Sequence, residues 1–146
     1  MSTQPGPWAL RLGYAGLLPF VGGAALVWLL GPSQQQAFVA QALSAYGALI
    51  IAFLGGIHWG QVMKSGDSGA AAPLSLAWGV LPALLAWPAL LMPAHAALVL
   101  HGVLLLVCYA VDRRLYARAG VQGWLTLRFR LSAVAALSCF VGAAGV

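Results

Sequence analysis

The stretch YGALIIAFLGGIHWGQ, Tyr46 to Gln61, sets one imidazole, His58, in a run that is otherwise apolar or glycine until its last three residues. A histidine in such a place can carry a proton, bind a ligand, or tie two helices by a hydrogen bond. At 3.6 residues per turn, His58 shares a side with Gly47, Ile51, Leu54 and Gln61. Tyr46, Leu49, Phe53, Gly56 and Gly60 share another side, with Gly55 and Trp59 on the arc between. Gly56 and Gly60 form a small-xxx-small pair, and with Gly55 they suit the close approach of other helices. Small or polar residues on several faces predict a helix surrounded by protein. His58 then faces the bundle interior, roughly 9 Å from the inner end of its helix at Lys64. At that depth Tyr14 and Asp112 are its candidate partners. His58, Trp59, Tyr14 and Asp112 are thus the candidate functional or helix-tying residues, and a helix tie is the simpler of the two roles.

Other chemistry is sparse. His101 lies deeper than His58 by roughly 8 Å, an unfavourable offset for a haem held between them. His101 and Cys108 are two turns apart, too far to share a metal. Cys108 and Cys139 sit in apolar runs and suit packing rather than a disulfide. His95 belongs to an outer loop. Asp67 and Asp112 both fall at the inner face, so no carboxylate is expected inside a span, which counts against a carboxylate proton relay. Phosphate loops, nucleophile elbows and metal-protease helices are absent from the sequence, which weighs against an enzyme. No catalytic residue, metal site or cofactor is predicted.

The elements that position these residues follow from composition. The chain has 146 residues, of which 62% are hydrophobic and 6% charged, with a mean hydropathy of +0.93. So few charges cannot cover a water-facing surface, and most of the solvent must be lipid. Five segments are long enough to cross a bilayer, at about residues 8–30, 37–63, 71–92, 94–111 and 124–146. They do not alternate as barrel strands would, so the predicted fold is an all-α integral membrane bundle of five transmembrane helices in a single domain. With the N-terminus cytoplasmic and the C-terminus outside, all seven Lys and Arg residues fall on or at the edge of the inner side. The second span is expected to be the central helix. The N-terminal run lacks a basic leader and reads as a retained first span. Pro19, Pro82 and Pro88 lie inside spans and free the carbonyls of Ala15, Trp78 and Leu84.

The segment DRRLYARAGVQGWLTLRFR mixes arginines with apolar and aromatic residues beside the inner leaflet. Arg113, Arg114, Arg118, Arg128 and Arg130 are expected at lipid headgroups, Arg128 and Arg130 by snorkelling. The partners predicted are therefore membrane lipids, with a membrane-protein partner or a second copy as further candidates. Nucleic acid is excluded, because no soluble basic surface exists.

Four motifs carry a resemblance: LGYAGLLPFV (Leu12 to Val21), AYGALIIAFLGGIHWG (Ala45 to Gly60), LPALLAW (Leu81 to Trp87) and WLTLRFRL (Trp124 to Leu131). The chain resembles domain of unknown function 3429, most specifically through FLGGIHWG, Phe53 to Gly60. The resemblance implies a small multi-span membrane protein of bacteria or bacteria-derived organelles, here of the bacterial inner membrane. It places His58 and Trp59 in the signature and assigns neither a role. Three classes of function follow. The leading expectation is a non-enzymatic accessory or assembly partner of a membrane complex. The alternatives are a small-solute or proton transporter, and a lipid, quinone or haem binder with an apolar cleft near Trp59, His58 and Tyr14.

Overall fold

The computed structural model describes residues 3–66 and 68–146. Asp67, expected at the inner face, lies outside the described residues. Six helices follow one another: α1 (Pro7–Ala15), α2 (Leu18–Leu30), α3 (Gln34–Ser65), α4 (Ala72–Ala89), α5 (Ala94–Arg118) and α6 (Leu125–Ala144), with a 3-10 turn at Gln122–Trp124 before α6. No strand occurs among the described residues. Five segments are long and apolar enough to cross a membrane, with α1 and α2 forming one of them.

The first span is two helices, not one. Pro19 stands in the first turn of α2 and cannot donate a backbone hydrogen bond. The chain tightens just before it, where Leu17 N–H bonds to Tyr14 O at 3.0 Å. The Tyr46 hydroxyl donates to the Gly16 carbonyl at 2.8 Å, so a side chain of α3 closes the break. The Tyr46 ring meets Phe20 edge-on, with centroids 4.9 Å apart.

Two other boundaries move outward. The glutamines of GPSQQQ, expected in a loop, are helical, because the Ser33 hydroxyl accepts from Gln36 N–H and caps α3. The fourth span, expected to stop at Val111, continues to Arg118. No glycine or proline interrupts the chain there until Gly120, whose φ of 73° turns it out of the helix. Asp112 therefore lies inside a helix.

α3 packs against α2, α4, α5 and α6, which makes it the central helix. Its apolar core face meets Phe20, Leu98, Leu105 and Cys139. It is not enclosed by protein, however. Leu49 is 67% exposed and Phe53 66%, so one face is open to lipid. Gly56 and Gly60 lie on that open side, where an added Cβ would meet nothing within 4 Å. The packing glycine is Gly55, whose backbone lies directly on Gly79 of α4. That contact admits no side chain on either residue. The expected role of Gly56 and Gly60 is thus corrected: helical spacing pairs them, but no neighbouring helix crosses there.

At the end of the bundle far from the arginines, Gln36 clasps three segments. Its amide donates to Val27 O at 2.9 Å and Gly145 O at 2.8 Å. Two buried or half-buried carbonyls depend on one side chain. Gln36→Leu is expected to lower stability by about 1–3 kcal/mol, the cost of leaving such acceptors unpaired. A thermal unfolding curve in detergent checks this, and an unchanged midpoint would show that the clasp carries no weight.

Candidate functional site

Asp112 is the hub of a buried polar cluster that joins four helices. It is 1% exposed. One carboxylate oxygen accepts from His58 Nε2 of α3 at 2.7 Å and from Trp78 Nε1 of α4 at 3.2 Å. The other accepts from Arg128 of α6 at 2.5 Å. The remaining terminal nitrogen of Arg128 donates to Ser132 Oγ at 2.9 Å, one turn along α6. Among the described residues, Arg128 Nε alone is buried with no partner. The buried Tyr116 ring stands edge-on to His58, with centroids 6.1 Å apart.

Of the two residues named as partners for His58, the structure brings Asp112 to it and leaves Tyr14 apart. Tyr14 is exposed on α1 and accepts from Arg130 at 3.3 Å. Two expectations are corrected here. Asp112 is buried between helices, not left at a helix end open to solvent. Arg128 is 6% exposed and turned into the protein, not snorkelling to headgroups. The reason is common to both: a carboxylate and a guanidinium compensate each other's burial, and neither could be buried alone. Arg113, Arg114, Arg118 and Arg130 are exposed. Trp59 is also exposed, and its indole donates to Leu76 O at 3.0 Å while its ring covers Gly79.

The cluster contains two residues that sequence reasoning missed as partners, Trp78 and Arg128. A signal existed for the second. A carboxylate six residues inside a helix end calls for a cation, and Arg128 opens the only helix that follows.

His101 forms a separate polar tie. Its Nδ1 meets Ser44 Oγ at 3.1 Å and its Nε2 meets Ala86 O at 3.1 Å. A carbonyl only accepts, so Nε2 carries the proton and Nδ1 accepts from the serine. Both nitrogens are spent on protein groups, which leaves none for a metal or haem iron. Among the described residues no group of three or more His, Cys, Asp or Glu could hold a metal ion. Cys108 and Cys139 are free and buried.

Beside the cluster lies an apolar cleft of about 530 Å³, between the broken first span, α3, α5 and α6. Gly13, Phe20, Leu54, Ile57, Leu131 and Ala135 form much of its wall. Phe53 and Leu12, exposed to lipid, stand at its rim. Its polar lining residues are Gln61, Trp124, Tyr116 and Arg128, with Ser132 one turn further along α6. Tyr116 thus separates the cleft from His58. The apolar cleft expected near Trp59, His58 and Tyr14 lies instead on the far side of Tyr116.

Among the described residues, five apolar spans joined by buried polar ties define a multi-pass helical membrane protein. The chain belongs to the family described as protein of unknown function DUF3429, whose model matches residues 6–144. It is 38% identical over 107 residues to transmembrane protein 69 of Xenopus tropicalis, covering 70% of this chain and 41% of that one. It is 27% identical over 133 residues to transmembrane protein 69 of Mus musculus, covering 91% of this chain and 54% of the mouse protein. The chain thus spans about half the length of these relatives or less. No solved structure matches.

Proposed function

We propose that this protein binds a lipid-like amphiphile, taken up sideways from the membrane into the cleft between the broken first span and α6. The single observation that carries this is the cleft itself: about 530 Å³, walled by hydrocarbon, with its polar groups toward one end. The other two classes find less support. A transporter calls for polar groups along a path, whereas the buried polar groups here bond chiefly to one another. An accessory role calls for apolar outer faces, but lipid requires the same faces. The setting we propose is the bacterial inner membrane with the arginine-bearing end cytoplasmic, where Arg113, Arg114 and Arg118 would meet anionic headgroups.

The test is to extract the protein in polymer discs and identify what stays bound by native mass spectrometry. Leu131→Trp fills the cleft, whereas Leu137→Trp enlarges an exposed residue of the same helix. The wild type and Leu137→Trp are expected to retain an amphiphile that Leu131→Trp loses on the order of tenfold. The same bound molecules at the same level in all three would overturn the proposal.

A further inference from the structure

We infer that the ligand of this cleft is a flat, uncharged carbonyl compound on an apolar chain, in chemical class a lipid-soluble quinone. The inference rests on the amphiphile-binding function proposed above and names its headgroup.

Charge comes first. Among the described residues no acidic side chain lines the cleft, so a cationic head would find no counter-ion there. The one lining cation, Arg128, is already matched by Asp112. A second anion brought into a hydrocarbon-walled site beside that pair would be left uncompensated. The head that fits is neutral.

Hydrogen bonding comes next. At the polar end, Trp124 offers an indole N–H and Gln61 an amide, and neither is bonded to a protein group among the described residues. The indole can only donate, and the amide can do so. A head that accepts completes them, and a carbonyl oxygen accepts without carrying charge.

Shape comes last. Tyr116 and Trp124 place two aromatic rings at this end, which favours a flat conjugated head over a glycerol backbone. From Gln61 to Ile50, both of which line the cleft, α3 rises about 16 Å. An apolar chain fits along that length, with Phe20, Leu54 and Ala135 beside it.

The experiment uses the full chain in detergent, with three probes: decylubiquinone, dioctanoylglycerol and dodecanoate. Each is titrated while the unfolding temperature is followed, since a ligand of the folded state raises it. Decylubiquinone is expected to raise the midpoint saturably, and the other two to leave it unchanged. Gln61→Leu and Trp124→Phe are each expected to weaken decylubiquinone about fivefold, the loss of one hydrogen bond. Tighter binding of dodecanoate would overturn the neutral head, and preference for dioctanoylglycerol would overturn the quinone. Equal binding by both variants and the wild type would overturn the assigned contacts. If no probe binds while Leu131→Trp still loses its co-purified amphiphile, the headgroup inference falls and the cleft's function stands. If neither happens, both fall.

Discussion

Asp112→Leu alone is expected to destabilise the protein by about 3–5 kcal/mol, and Asp112→Leu combined with Arg128→Leu to recover most of that loss. The single substitution removes the carboxylate that, among the described residues, pairs with Arg128, and leaves a buried guanidinium without it. It also takes an acceptor from His58 and Trp78 at once. The double substitution removes both charges together and fills the space with hydrocarbon of similar size. Buried ion pairs replaced in this way are often neutral or better, because desolvation cost much of what attraction returned. Unfolding in mixed micelles, read for the wild type, both single variants and the double variant, gives the coupling energy directly. A loss in the double variant equal to the sum of the two single losses would mean that the pair is not coupled, and that His58 or Trp78 is the partner that matters.

Gly55→Ala is expected to cost about 3 kcal/mol, at the top of the usual range for overpacking, while Gly56→Ala costs nothing. The two glycines are neighbours in sequence and differ only in what they face. A Cβ on Gly55 would collide with the Gly79 carbonyl, which is backbone and cannot swing away as a side chain can. Relief requires α3 and α4 to part, and the Trp59 ring lying over Gly79 would have to move with them. Gly56 faces open space, so alanine there adds helix propensity without a clash. A thermal midpoint for each variant settles the comparison. Equal midpoints would show that the crossing of α3 and α4 yields easily, against the close approach seen here.

Much of this was legible from the chain alone. Of the five residues the wheel grouped, Gly47, Ile51, Leu54 and His58 are buried and Gln61 is half-buried. Their common burial follows from helical period, which a local window contains in full. Asp112 stood among the two partners named for His58, because depth along the second and fourth spans, which run in the same direction, can be counted from their ends. What was not legible depends on contacts between helices. Ending α5 at the first charged residue placed Asp112 and Arg128 at the surface separately, since only the fold shows that each cancels the other's charge. The small-residue pattern favoured Gly56 and Gly60, whereas the real contact joins Gly55 to a glycine in another helix, a pairing that no i, i+4 rule contains. The cleft is invisible for a similar reason. Its walls come from four spans, one of them broken at Gly16 and Leu17, and no window of sequence encodes the space between them.

The order of the chain gives the Asp112 cluster a further consequence, in biogenesis. His58 and Trp78 are synthesised before Asp112, but Arg128 follows it by sixteen residues. When α5 enters the membrane, its carboxylate can meet two hydrogen-bond donors already in place, yet its permanent counter-charge has still to leave the ribosome. A lone carboxylate at that depth is costly, and so is a lone guanidinium arriving later. The last two spans therefore gain by entering as one hairpin, with each charge shielded by the other. A chain cut short after α5 would carry its acid into lipid without that shield, which makes the final helix a checkpoint for the whole assembly.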